Sequence, residues 1–256
     1  MKVLVSGGTS GLGLAMAMAL ADAGSTVAIG GRSAERAAEV AAGVRGATGI
    51  ELDVREPASV SRAVDEAWRR LDGIDMLVNN AGIGMRTVNP SFMTHPQPFW
   101  DVTVDGFRDV IATNLTGYFL MARETVPRML AGRGGRIVNI SVNESTMRRA
   151  GFVPYGPSRA GSEALSRVMA ADLRGSNVTV NLLVPGGVTA TGMLPEGAPR
   201  EGGDMLPPSV MGPPIVWLAS DEAVGVHDER IVAADFERWL RDRRDRDSRL
   251  RAPGTS

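Results

Sequence analysis

The chain has 256 residues, 43% of them hydrophobic and 22% charged. These are the proportions of a domain that buries a large core without disulfides or metal. A formal charge of −1 excludes a global basic field for nucleic acid or anionic membrane. With no cysteine and only two histidines, His95 and His227, disulfides, zinc–thiolate and iron–sulfur sites, thiol catalysis and polyhistidine metal sites are excluded, and no metal is expected. Lys2 is the only lysine; every other basic residue is arginine.

Taken along the chain, short apolar runs alternate with stretches of helix formers. Residues 1–23 begin with a lysine and an apolar stretch, as a secretory leader does. The glycines of the segment 6–13 make strand, turn and helix the better reading. Strands are predicted at 3–6, 26–30, 49–53, 76–79, 135–141, 178–184 and 230–233, and helices at 12–23, 34–44, 58–71, 104–131, 155–173 and 214–220. Such alternation makes βαβ units and a parallel sheet. The expected fold is α/β: a single doubly wound (Rossmann) domain over 1–235, about seven parallel strands flanked by helices, with a charged arginine-rich tail at 236–256. The tail is read as a solvated helix end or a disordered segment. The loops 84–100 and 192–214 leave the carboxyl ends of strands, where open α/β sheets bind ligands, and are read as substrate loops. No apolar run approaches the ~20 residues of a membrane span, so a soluble cytoplasmic protein with no membrane or nucleic-acid partner is expected.

Gly7, Gly11 and Gly13, with Thr9, Ser10 and Leu12 among them, lie between the first strand and the first helix. Glycine permits a tight turn and close approach of backbone to a pyrophosphate, and the helix amino terminus offers free N–H groups to phosphate oxygens. The spacing Gly-xxx-Gly-x-Gly is followed by Asp53-Val54 at a strand end, Asn79-Asn80-Ala81-Gly82, Asn114-Leu115-Thr116-Gly117, Tyr155-Gly156-Pro157-Ser158-Arg159 and Pro185-Gly186. In this order the motifs resemble the short-chain dehydrogenase/reductase family over roughly 1–235.

The resemblance implies hydride transfer between a nicotinamide cofactor and a carbonyl or secondary alcohol. It places Asp53 and Val54 at adenine, Asn80, Ala81 and Gly82 under the cofactor, and Asn114 as the family's asparagine, holding a water. Tyr155 becomes the acid–base group. Arg159 replaces the family's lysine, and Pro185, Gly186, Val188 and Thr191 stand near the nicotinamide. A phenol is a poor base at neutral pH unless a cation stabilises its phenolate; Tyr155 and Arg159 have the i, i+4 spacing that puts both on one helix face. The family's serine falls at Val142, which has no hydroxyl. Ser141 is taken as its replacement, with Ser145 and Thr146 as alternatives.

At the end of the second strand Gly31 occupies the position of the acidic residue that selects NAD, and Arg32 and Ser33 follow. A guanidinium and a hydroxyl suit a 2′-phosphate, so NADP(H) is preferred and NAD(H) remains possible. Phe92, Met93, His95, Phe99, Trp100, Met193, Leu194 and Met205 in the two loops suggest a mainly apolar pocket for a small carbonyl or alcohol substrate. The resemblance further implies a homodimer or homotetramer. Two other readings stay open. One is a non-catalytic NADP(H)-binding sensor or pseudoenzyme, motivated by Val142 and Arg159. The other is a lyase resembling halohydrin dehalogenases, which carry a Ser-Tyr-Arg set but lose the dinucleotide site.

Overall fold

The computed structural model describes residues 1–194 and 205–251. Seven parallel strands form one sheet: β1 (Lys2–Val5), β2 (Thr26–Gly31), β3 (Ala47–Glu51), β4 (Met76–Asn79), β5 (Gly135–Ile140), β6 (Val178–Val184) and β7 (Arg230–Val232). Their order is β3-β2-β1-β4-β5-β6-β7. The chain winds outward from β1 in one direction, then returns to β4 and winds in the other. The reversal leaves a crevice at the carboxyl ends of β1 and β4, the usual ligand position in such sheets.

The strands read as continuous apolar runs because helices cover both faces. In β1, Val3 and Val5 face one core with Met16, Leu20, Ile29, Ile215 and Trp217. Leu4 faces the other, with Val60, Val64, Leu77, Met121 and Ile137. The helices covering these faces are α1 (Gly11–Asp22), α2 (Ala34–Ala42), α3 (Pro57–Leu71), α4 (Val104–Ile111), α5 (Gly117–Ala131), the short α6 (Glu144–Met147), α7 (Tyr155–Asp172), α8 (Gly212–Leu218) and α9 (Phe236–Arg251). Among the described residues no helix is long and apolar enough to cross a membrane.

Two features depart from the local sequence pattern. The helix predicted over 104–131 is interrupted by a π turn at Ala112–Thr116. Such single-turn bulges gather at functional sites, and this one carries Asn114. Past it, Gly117 packs so closely on Val54 that a Cβ there would lie 2.8 Å from Val54 Cγ2. In the tail, Phe236 and Trp239 of α9 pack on Trp217, with ring centroids 5.9 and 5.3 Å away, so the apolar core continues beyond residue 235. The arginine-rich remainder of the described tail is helical to Arg251.

Candidate active site

The carboxyl ends of β1, β2, β4, β5 and β6 surround a cavity of about 1000 Å³. Its floor is the turn from β1 into α1. Gly7 turns there with φ +63°, and a side chain on it would strike the Ala81 backbone at 2.7 Å. Ser6 and Asn80 stitch the turn to β4. Ser6 Oγ accepts from the backbone N–H groups of Asn80 and Ala81 at 3.0 and 3.1 Å. Asn80 Nδ2 donates to the carbonyls of Ser6 and Gly7 at 3.1 and 2.9 Å. Thr9, Ser10, Gly11 and Leu12 line the cavity; Gly13 instead packs against the Gly7 carbonyl beneath the turn.

At one end of the cavity stand Arg32 and Asp53. Gly31 leaves room for Thr9, because a Cβ at 31 would come within 2.5 Å of Thr9 Cγ2. Arg32 is exposed and makes no hydrogen bond to a described residue, whereas Arg55 binds the Asp53 carboxylate through Nε and NH2 at 3.0 and 2.7 Å. Hydrogen bonds from Arg55, working against partial burial, hold the Asp53 carboxyl below its ordinary pKa, and Arg32 adds to that. Ser33 is placed elsewhere: its Oγ accepts from Arg36 N at 3.1 Å and caps α2, outside the cavity lining.

At the other end, α7 brings Tyr155 and Arg159 to the cavity wall. The Arg159 guanidinium carbon lies 5.4 Å from the Tyr155 ring centroid and 5.8 Å from that of Tyr118. Arg159 is only 3% exposed. Its NH1 donates to Tyr118 Oη at 2.9 Å and to the Ile140 carbonyl at 3.1 Å, while its buried Nε has no partner among the described residues. Burial opposes the charge, and Tyr118 and Tyr155 offset that cost, so the pKa of Arg159 lies above its ordinary value and the group remains a cation. Burial pushes the Tyr118 phenol up against the pull of Arg159, which keeps it a neutral donor, bonded to the Ile140 carbonyl at 3.0 Å. Gly82 completes the wall: a Cβ there would sit 2.3 Å from Arg159 NH2.

Asn114 lies behind this pair and not on the cavity surface. Its Oδ1 accepts from Ile83 N at 2.9 Å, and its Nδ2 donates to Ile83 O and to Ser158 Oγ, each at 3.0 Å. Ser158 Oγ donates to the Tyr155 carbonyl at 2.7 Å. The π turn therefore ties the end of β4 to the first turn of α7.

Ser141 lines the cavity but is turned toward α7, where its hydroxyl donates to Glu163 Oε1 at 2.6 Å. Arg230 Nε holds both Glu163 oxygens, at 3.1 and 3.2 Å, and its NH2 donates to the Val142 carbonyl at 2.8 Å. Val142, Asn143, Ser145 and Thr146 also face the cavity. After β6, Pro185, Val188, Thr189 and Thr191 line it too, with Thr191 against Gly11, while Gly186 is packed on Val232 and Ala234.

The apolar wall is narrower than the loops suggested. Phe92, Met93, Met193 and Leu194 line the cavity, joined by Met85 and Phe152; Phe152 meets Phe92 and Tyr155 edge-on, with centroids 5.6 and 6.5 Å apart. His95, Phe99, Trp100 and Met205 do not. Phe99 and Trp100 meet edge-to-face at the surface, 66% and 72% exposed, because the loop turns outward before α4. Part of the second loop, 195–204, lies outside the described residues. Among the described residues, no group of His, Asp or Glu is placed to hold a metal ion. Sequence reasoning missed Tyr118, Glu163 and Arg230, each brought in from a distant element. The only available signal was that Tyr118 is one of two tyrosines.

Residues 1–201 match the family described as short chain dehydrogenase. The chain is 35% identical over 242 residues to the 3-oxoacyl-[acyl-carrier-protein] reductase FabG of Aquifex aeolicus, covering 89% of this chain and 93% of that protein. It is 34% identical over 244 residues to the D-threitol dehydrogenase of Mycolicibacterium smegmatis, covering 90% and 89%. Among solved structures, a short chain dehydrogenase from Burkholderia cenocepacia in complex with NADP aligns with a TM-score of 0.78 and 29% identity, covering 90% of this chain and 95% of that one.

Proposed function

Because the chain belongs to the short-chain dehydrogenase family, we propose that it is an oxidoreductase exchanging hydride between NADP(H) and a carbonyl or secondary alcohol, with Tyr155 as the acid–base group. One observation carries the reading. Tyr155 and the buried cation Arg159 share a wall of the cavity whose floor is the glycine turn.

The residues present fit a dinucleotide. The turn and the amino terminus of α1 suit a pyrophosphate. Arg32, with no hydrogen-bond partner among the described residues, suits a 2′-phosphate, and no carboxylate stands at Gly31 to repel it. The Nε of Arg159, without a partner among the described residues, is a buried donor in need of an acceptor, which a ribose hydroxyl would supply. Structural neighbours are crystallised with NADP and with NADH, which supports a nicotinamide cofactor in general; the choice of NADP(H) rests on Arg32 and Gly31, with NAD(H) as the alternative.

When bound, a nicotinamide would supply or accept the hydride. In reduction, Tyr155 gives its phenolic proton to the substrate oxygen, and the resulting phenolate is compensated by Arg159; in oxidation the proton returns to Tyr155. The guanidinium stays protonated throughout, so its role is electrostatic and it passes no proton on. With the Ser141 hydroxyl bonded to Glu163, orientation of the substrate oxygen falls to Ser145 or Thr146, which line the cavity after β5. Phe92, Met93, Phe152 and Leu194 favour a substrate with an apolar body. Val104, Phe107, Phe119 and Val168, exposed on α4, α5 and α7, support pairing into a homodimer or homotetramer.

The second reading is an NADP(H)-binding protein without turnover. It draws on Val142 and on the engagement of Ser141 with Glu163. A dehalogenase is disfavoured by the intact glycine cradle. The test mixes protein, NADPH and a panel of ketones and follows reduced-nicotinamide absorbance. Oxidation of NADPH that disappears in Tyr155→Phe supports the reductase. Tight NADPH binding without turnover supports the second reading.

A further inference from the structure

Both tyrosines of the chain address one guanidinium. We infer that Tyr118 is a positioning residue for the reaction: its hydroxyl clamps the NH1 side of Arg159, so that the opposite edge of the guanidinium is held toward Tyr155 and the cofactor crevice. The inference deepens the reductase reading and rests on it.

The geometry begins with satisfiability. Arg159 carries five N–H donors into a site where it is 3% exposed, and a buried donor left unpaired is costly. NH1 is satisfied, by Tyr118 Oη at 2.9 Å and the Ile140 carbonyl at 3.1 Å. Tyr118 is itself fixed, being 1% exposed and donating to the same carbonyl at 3.0 Å. These three bonds close a triangle, with the two phenyl rings at cation–π distance from the guanidinium. NH2 fills the space a side chain at Gly82 would take, and Nε has no partner among the described residues. The unsatisfied side is therefore the one away from Tyr118. An ammonium is a compact point charge with rotating donors, whereas a planar fork must be oriented to be useful. Tyr118 supplies that orientation from α5, where the preceding Gly117 lets the helix approach Val54, just past β3, closely. With Phe at 118, NH1 keeps a single partner and the fork is free to turn about its last torsion.

The experiment is a double-mutant cycle of Tyr118→Phe and Arg159→Lys, with kcat, KM and the NADPH dissociation constant measured for each protein. Beside it, the Arg159 Nε–H resonance is read in the ligand-free protein, assigned by its loss in Arg159→Lys. Tyr118→Phe is expected to lower kcat about tenfold, within what a sub-ångström misplacement costs, with the ketone KM little changed. In the Arg159→Lys background the same change is expected to cost less than about twofold, since residues acting through one another are non-additive. The Nε–H signal, slow to exchange in the wild type, is expected to lose its protection. Equal losses in both backgrounds overturn the inference, as does a protected Nε–H signal in Tyr118→Phe, whatever its melting temperature. The resonance is read without cofactor or substrate, so it judges the clamp even if the reductase reading fails.

Discussion

The hydroxyl of Ser141 donates to Glu163 Oε1 at 2.6 Å, and Glu163 is held on its other side by Arg230. A serine has one proton to give. Spent on a carboxylate, in a short charge-assisted bond, it is not offered to a substrate oxygen. The relationship makes Ser141 part of a brace that joins the ends of β5 and β7 to α7.

Ser141→Ala is accordingly expected to lower stability by about 1–2 kcal/mol, the range for a hydrogen bond to a charged group, and to leave kcat within about threefold. Denaturant unfolding and steady-state kinetics check the two halves separately. A loss of kcat beyond a hundredfold with unchanged stability would return Ser141 to the substrate oxygen and show that its hydroxyl rotates away from Glu163 during turnover.

Cofactor choice is the next test. Arg32→Ala is expected to weaken NADPH binding by about 10- to 100-fold, the loss of a charge-assisted contact of roughly 1.5–3 kcal/mol, and to leave NADH binding nearly unchanged. Calorimetry with both dinucleotides measures it. Gly31→Asp alone is expected to weaken both, because its Cβ would meet Thr9 Cγ2 at 2.5 Å. Pairing it with Thr9→Ser, which removes that methyl, is expected to shift preference toward NADH. Equal loss of both dinucleotides in Arg32→Ala would sink the 2′-phosphate assignment.

A pH dependence follows from Asp53. Hydrogen bonds from Arg55 depress its carboxyl pKa in the folded protein, so ionised Asp53 contributes stability above its unfolded pKa of about 3.9, and that contribution is lost as pH falls through the lower folded value. The side chain is 24% exposed, so the effect is modest, at most about 1 kcal/mol. Arg55→Met is expected to be less stable than the wild type at pH 7 and to converge with it as the pH falls through the lowered folded pKa of Asp53, as judged by urea unfolding at each pH. A deficit that persists unchanged at acid pH would show that Arg55 contributes through packing and not through Asp53.

The seven-stranded sheet was legible in the chain because parallel strands buried on both faces leave unmistakable apolar runs, and each predicted strand lies within two residues of its observed limits. The glycine turn was legible for the same local reason, its residues being consecutive. So was the facing of Tyr155 and Arg159, since helical periodicity alone sets it. Whatever depends on sequence-distant encounters was decided by the tertiary structure. Tyr118 reaches Arg159 across 41 positions, and Arg230 reaches Glu163 across 67. No local period encodes such meetings; the order in which strands pack, and the π turn that shifts α5, create them. The outward turn of Phe99 and Trp100 belongs to the same class, whereas the capping of α2 by Ser33 is local, its hydroxyl bonding Arg36 N three residues on. Apolar or polar character tells a side chain whether it prefers burial, but the backbone path decides which cavity it enters.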